Sequence, residues 1–329
     1  MQKTIEKYAA TGVSSPADLV VILGTGGTIA GTAQDAADNV GYRAAQLGVA
    51  QLVQAIPQLG QRRLETEQVA QLDSKDMDFP TWQQLARRVS EHLSRPEVAG
   101  IVITHGTDTL EETAYFLHRV LAPTKPVVLT AAMRPATALQ SDGPQNLLDA
   151  VSVAVDTQAQ GVLVVFAGAV HSAEQVRKVH SYRVDAFASA EGARLGVVVE
   201  GCVRWLAQEN PAQAAVGLAV LGLPAADWPQ VQIVMNYVGA NGAVVEALLQ
   251  QGIDGLVVAG TGNGSLSMGL ETALRLAQRR GVAVLRSTRC DAGPVTESAD
   301  ALPSAGALSP VKARVEMLLN LLAAKSTAI

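Results

Sequence analysis

Cysteine is nearly absent from this chain, aromatic residues make up only 4% of it, and no tract of one charge sign occurs. Cys202 and Cys290 are too few among 329 residues for a disulfide framework. They are not spaced as metal ligands either, and read as small semi-buried thiols. With 25 basic against 30 acidic side chains the net charge is −5, and there is no run of Lys or Arg to neutralise nucleic-acid phosphates. Anionic membrane surfaces are poor partners for the same reason. The charge-poor stretches 211–226 and 229–245 are interrupted by Pro, Gly, Gln and Asn, whereas a span needs ~20 apolar residues in succession. Lys3, Glu6, Lys7 and Asp18 mark an N-terminus without the apolar core of a signal peptide. The expected location is the cytoplasm, or the periplasm if a leader has been removed. What the chain has in quantity is apolar surface: 48% hydrophobic against 17% charged residues excludes disorder and provides for two domains.

Short β-branched runs at 19–23, 100–104, 126–130 and 161–166 alternate with amphipathic stretches at 47–56, 110–121 and 145–155. A second series has strand runs at 231–235, 255–259 and 282–285, and helical stretches at 243–249, 266–277 and 310–322. The strand runs are apolar almost throughout, as strands buried on both faces of a parallel sheet must be. The pattern predicts an α/β fold with a larger parallel-sheet N-terminal domain at 1–206, a connection at 207–229 rich in Pro, Ala and Gly, and a smaller α/β domain at 230–329. Residues 170–192 break the pattern. They are polar, carrying His171, Arg177, Lys178, His180, Arg183 and Asp185, and read as a functional loop.

In open parallel sheets ligands sit beyond the carboxyl ends of the strands, and three such tips are chemically rich. The first, residues 24–31, begins as a dinucleotide fingerprint and fails: Ile29 takes the third glycine position, and 43–64 contains no Asp or Glu for a ribose. What remains is a glycine loop that brings Thr25 or Thr28 to a ligand. The second, residues 104–112, places Thr107 and Asp108 at a helix start, where anionic ligands are favoured, and Thr109 with Glu112 fits a capping box. The third is 260–265. Of the five histidines only His105 lies at a strand tip, and no Gly-x-Ser-x-Gly elbow accompanies it, so a Ser-His-Asp triad is disfavoured. A lysine can activate a hydroxyl if burial lowers its pKa, and Lys178 is the candidate. No His, Cys or Asp cluster has ligand spacing, and neither a metal nor an organic cofactor is implied.

Residues 25–31 (TGGTIAG) and 100–117 (GIVITHGTDTLEETAYFL) resemble the two signature motifs of the bacterial-type L-asparaginase and glutaminase-asparaginase family. The likeness continues through 132–135, 141–144, 260–264 and 286–289, covering essentially the whole chain beyond residue 18. It implies amide hydrolysis in two steps through an acyl-enzyme, with Thr28 as the matching nucleophile and Tyr42 as the tyrosine that bonds to it. It also implies that 31–41 is a mobile lid and that Thr107, Asp108 and Lys178 form a second, rigid cluster. Each site would be completed by the neighbouring subunit of an intimate dimer, two dimers making a tetramer. The matching residues for that contribution are Asn263, Ser265 and an acid that aligns with either Glu297 or Asp300.

Substrate recognition can be argued from chemistry alone. An α-carboxylate needs N–H donors and a hydroxyl, which Ser74 and the Thr107 helix start supply. An α-ammonium needs a carboxylate, and Asp108 is placed for it. A developing oxyanion needs preorganised donors, which the glycine loop and the backbone near Ala132 offer. The chain departs from many relatives at two of these positions. Lys75 stands where they have Gln or Glu, putting a cation beside the ammonium pocket or outward from it. Ser265 stands where asparagine-selective members often have Asn, which predicts some glutaminase activity. The positions near Arg95 and Pro123 lack the cysteines of some periplasmic relatives. The expectation is thus an L-asparagine amidohydrolase. The competing readings are a preferential glutaminase-asparaginase, an amidase for D-asparagine or a larger carboxamide, a binding module without catalysis, and a nicotinamide-dependent enzyme.

Overall fold

A computed structural model describes residues 17–190, 193–207 and 214–327. Residues 1–16, the last two residues of the polar segment, 208–213 of the expected connection and 328–329 therefore lie outside the described residues. The larger sheet has eight strands: β1 (Leu19–Gly26), β2 (Leu64–Leu72), β3 (Val98–Thr104), β4 (Val127–Thr130), β5 (Val162–Phe166), β6 (Ala169–Ser172), β9 (Gly196–Val199) and β10 (Cys202–Trp205). Their spatial order is β10-β9-β6-β5-β4-β3-β1-β2. From β2 to β5 all neighbours are parallel, while β5-β6, β6-β9 and β9-β10 are antiparallel.

The apolar runs form this sheet because both of its faces are covered. Leu19, Val21 and Leu23 point into one core with Trp82, Leu85 and Val89 of α2 (Phe79–Leu93) and Leu110, Phe116 and Leu117 of α3 (Leu110–Leu121). Val20 and Ile22 point the other way, onto Val49 and Leu52 of α1 (Val49–Gln54) and Leu147, Ala150 and Val151 of α4 (Gly143–Ala154). A second sheet of three parallel strands, β11 (Val231–Met235), β12 (Gly255–Gly260) and β13 (Ala283–Thr288), is covered on one face by α5 (Ala243–Gln250) and α6 (Met268–Arg279). The last helix, α7 (Pro310–Thr327), contributes Ala313, Val315, Leu318 and Leu319 to the larger core, together with Val257 of β12. The fold is α/β, with a large parallel-dominated sheet and a smaller C-terminal one, as the strand runs predicted.

Several features differ from the sequence reading. The edge strand β2 (LETEQVAQL) has one buried side chain, Val69, so no apolar run announces it. Helix α2 is missing from the sequence reading too, although Trp82, Leu85, Ala86 and Val89 recur at helical spacing and the Asp78 side chain accepts from Thr81 N at its start. The polar segment at 170–192 is built rather than looped, containing most of β6 and a two-stranded hairpin of β7 (Val176–Lys178) and β8 (Phe187–Ser189). Cys202 and Cys290 are exposed, not semi-buried, one on the edge strand β10 and the other just past β13. The described part of 207–229 folds into two 3-10 turns, Leu218–Gly222 and Ala225–Asp227, and is pinned to α2 by Gln83 Nε2, which donates to the carbonyls of Leu221 and Leu223.

Register fixes what lies beyond the strands. Gly24 of β1 is opposite Thr104 of β3, and Gly26 is opposite Leu72 of β2. The loops after three adjacent strands therefore start side by side, delivering Thr28, Ser74 and Thr107 to one edge of the sheet.

Candidate active site

The loops after β1 and β3 touch backbone to backbone. Gly26 and Gly27 adopt φ of +106° and +81°, in the left-handed region that side chains disfavour, and a β-carbon on Gly27 would lie 2.3 Å from Gly106 Cα. Gly106 has no room either, since its β-carbon would meet the Ser74 hydroxyl at 2.4 Å. After Gly27 the chain turns through a 3-10 segment, Thr28–Ala30. Of the two threonines in the loop, Thr25 is spent on structure, its hydroxyl donating to Thr104 O at 3.0 Å. Thr28 is 7% exposed, and its hydroxyl lies 2.7 Å from the Tyr42 phenol.

The segment 31–41 between them is held by a side chain of its own and by Thr137. Asp38 accepts from the N–H groups of Gly41 and Val40, which lower its pKa, and Thr137 bonds to the backbone of Ala33.

The loop after β3 is anchored by a directed chain of hydrogen bonds. Trp82 Nε1 donates to Thr113 Oγ1 at 2.9 Å, and that hydroxyl lies 3.0 Å from His105 Nε2. His105 Nδ1 stands 2.7 Å from Gly106 O, a carbonyl that only accepts. His105 is therefore neutral with its proton on Nδ1, and complete burial pulls its pKa down to about 4. It is a strut beneath Gly106, not a base.

Thr107 and Asp108 follow it. Lys178 Nζ donates to Thr107 Oγ1 at 2.8 Å and to Asp108 Oδ1 at 2.6 Å. The Lys178 side chain is 18% exposed and that of Asp108 is 52% exposed, so the carboxylate faces solvent while the ammonium is largely enclosed. Ser74 completes the group: its hydroxyl accepts from Asp108 N at 3.2 Å, and its carbonyl accepts from Thr109 Oγ1 at 2.8 Å. That last bond corrects the capping-box expectation. Thr109 is the first cap of α3 but makes no side-chain cap, because its hydroxyl is taken by Ser74, and Glu112 is instead raised by burial to about 7.

Lys75 bonds on its own turn to Asp73 at 3.0 Å and Asp76 at 2.8 Å, and is raised by them to about 12. At 60% exposed, its ammonium is in solvent. Near Ala132, Asp142 accepts from the N–H groups of Met133 and Arg134, both at 2.9 Å, so these donors are occupied. Asn263 and Ser265 stand elsewhere, at the carboxyl end of β12. Asn263 Oδ1 accepts from Thr296 N at 2.7 Å, and Ser265 closes a tight turn with Thr261. Glu297 and Asp300 follow in an exposed segment. Among the described residues no hydrogen bond or ion pair joins these four to Thr28, Thr107 or Lys178. No group of three His, Cys, Asp or Glu among the described residues could hold a metal ion.

Sequence profiles of known families match nearly all of this chain. The profile described as "Asparaginase, N-terminal" matches residues 19–211, and that described as "Glutaminase/Asparaginase C-terminal domain" matches 230–328. A glutaminase-asparaginase of Pseudomonas fluorescens biotype A is 40% identical over 280 residues, covering 83% of this chain and 76% of that protein. L-asparaginase 2 of Escherichia coli is 38% identical over 314 residues, covering 92% and 88%. Among solved structures, a probable cytoplasmic L-asparaginase from Campylobacter jejuni superposes with a TM-score of 0.87 at 37% identity, covering 94% of this chain and 98% of that one.

Two predictions follow from the loop contact and its strut. Gly27→Ala forces backbone apart in two loops, and should lower the unfolding free energy in urea by about 2 kcal/mol or more; a change under about 0.5 kcal/mol would contradict the contact. His105 binds a proton near pH 6.5 when unfolded but only near 4 when folded. Its contribution is complete above 6.5 and is lost as pH falls toward 4. Glu112 acts in the opposite sense, so the informative quantity is a difference. Between pH 7 and pH 5 the wild type should lose about 2 kcal/mol more than His105→Gln, and equal losses would refute a buried neutral His105.

Proposed function

The chain belongs to the asparaginase and glutaminase-asparaginase family, and from that premise we propose that it hydrolyses the side-chain amide of L-asparagine to L-aspartate and ammonia. The observation that supports this most is the pairing of two hydroxyls with two different partners at one sheet edge: Thr28 with Tyr42, and Thr107 with Lys178 and Asp108. A binding module has no use for a hydroxyl prepared for deprotonation, and no dinucleotide loop is completed here. The mechanism proposed is nucleophilic. Thr28 Oγ attacks the carboxamide carbon while its proton passes through the Tyr42 phenol; the C–N bond breaks, ammonia leaves with a proton, and an aspartyl ester remains on Thr28. Water then attacks the ester carbon and gives its proton to the Thr107 oxygen, as the Thr107 proton passes to the Lys178 nitrogen and a Lys178 proton passes on to the Asp108 carboxylate, and aspartate leaves as a proton returns to the Thr28 oxygen.

Recognition follows from the same geometry. The Ser74 hydroxyl and the N–H groups opening α3 suit the substrate α-carboxylate, and the solvent-facing Asp108 suits the α-ammonium. The glycine loop with the Ala132 backbone is the proposed oxyanion site. Lys75, held by Asp73 and Asp76, acts on the substrate only at a distance. The loop 31–41 is proposed to close over the substrate. We further propose a homotetramer in the cytoplasm, in which Asn263, Ser265 and either Glu297 or Asp300 reach the neighbouring subunit's substrate. This reading is supported by their exposed position, with no hydrogen bond or ion pair to Thr28 among the described residues, and by the likeness to a protein described as cytoplasmic. Glutamine is the proposed secondary substrate, because Ser265 offers a single hydroxyl to the amide and one of the similar proteins is a glutaminase-asparaginase.

Ammonia release from L-asparagine tests the reaction. Thr28→Ala should cut kcat by more than about a thousandfold and Lys178→Met by about a hundredfold or more, each with an unchanged circular dichroism spectrum; near-normal turnover by Thr28→Ala would overturn the mechanism. L-Glutamine differs by one methylene, worth about 1–3 kcal/mol. Its kcat/KM should therefore lie within about two hundredfold of that for L-asparagine, and no detectable turnover at millimolar glutamine would refute the secondary activity.

A further inference from the structure

Lys178 sits on a strand that the main sheet does not hold. β7 is three residues long and among the described residues pairs only with β8, in a separate two-stranded sheet, so no ladder among them sets its position against α3. What holds it is a set of side chains. Lys312 of α7 is fully buried, and its ammonium donates to the carbonyl of Glu174 at 2.8 Å and to that of Val176. Arg177 reaches the other way, donating to Asp291 O at 2.6 Å and Ala307 O at 2.9 Å. Glu111 of α3 accepts from Lys178 N at 3.2 Å.

A buried ammonium is a poor means of stabilising a fold, since desolvation costs about as much as its bonds return, and apolar replacements are often neutral or better. Here burial lowers the Lys312 pKa to about 7. Its place in α7 suggests another use. One helical turn further on, Glu316 accepts from Arg119 Nε at 2.7 Å and Tyr115 Oη at 3.1 Å, both on α3. One face of α7 thus grips both elements that make the cluster: α3, whose start carries Thr107 and Asp108, and β7, which ends at Lys178.

We propose that Lys312 is a positioning residue for the reaction: with Arg177 it fixes β7 from the C-terminal part of the chain, so that the Lys178 ammonium meets Thr107 and Asp108. This rests on the role proposed above for Lys178. A displacement of about 1 Å at a reacting group can cost a hundredfold in rate, while the substrate contacts assigned to Ser74 and the α3 start are untouched.

Lys312→Met and Arg177→Met, assayed on L-asparagine with thermal midpoints in parallel, test the proposal. Lys312→Met should lower kcat by about tenfold or more and Arg177→Met by about threefold, with KM within about threefold of wild type in both. Folded variants whose kcat stays within about twofold, or whose whole loss lies in KM, overturn it. If Lys312→Met does not fold, the solvent-side variant Arg177→Met decides alone by the same criteria. Lys178→Met separates the two readings. If it is inactive while the clamp variants are normal, only the positioning role falls; if it turns over normally, the role of Lys178 falls and this inference with it.

Discussion

Two backbones meet at Gly27 and Gly106 without room for a β-carbon, and the rest of the site is arranged around that contact. It exists because β1 and β3 are neighbours in register, so their loops leave the sheet together. Gly27 then turns the chain so that Thr28 faces Tyr42, and Gly106 seats against the Ser74 hydroxyl. His105, Thr113 and Trp82 carry the position of Gly106 down into the core through oriented hydrogen bonds. The apolar packing of α2 and α3 on the sheet is thereby coupled to the placement of a hydroxyl. Desolvation serves the same end, since a histidine kept neutral by burial holds its proton on the nitrogen that the Gly106 carbonyl needs.

The site divides the chemistry between two environments. Thr28 is nearly enclosed and its partner is an uncharged phenol, whereas Thr107 is paired with a lysine whose own counter-charge, Asp108, is open to solvent. In the proposed reaction, a carboxylate in that position exchanges part of its interaction with Lys178 for the substrate ammonium, while the lysine keeps its bond to Thr107. The C-terminal part also bears on this arrangement. Through α7 it holds α3 by Glu316 and β7 by Lys312, so a helix remote in sequence sets the distance between elements that no sheet ladder connects.

Much of this was readable in the sequence, for physical reasons that also explain what was not. Strands buried on both faces must be apolar throughout, so the central strands announced themselves, and the candidate site at their tips followed from the parallel topology. The glycine loop by itself pointed to Thr25 or Thr28; the family resemblance picked Thr28, and in the structure the Thr25 hydroxyl is spent on Thr104. Edge strands such as β2 need no apolar run and gave no signal. The antiparallel strands β6 to β10 are short and lie within polar stretches. Helix α2 did carry a helical period behind an Asp78 cap, and a systematic count of that spacing would have found it. Thr109 was read as a cap because capping is local, but its hydroxyl answers to Ser74, 35 residues away in sequence. Lys312 looks like any surface lysine until tertiary packing encloses it.

The central claim is that Thr28 carries the acyl group, and its most direct test is the covalent intermediate itself. The enzyme would be mixed with excess L-asparagine, quenched in acid during turnover, and digested, and its peptides weighed by mass spectrometry. The account predicts that the peptide containing Thr28 gains the mass of one aspartyl residue, and that Thr28→Ala shows no adduct anywhere. An adduct on a peptide containing Thr107 and not on that of Thr28 would contradict it.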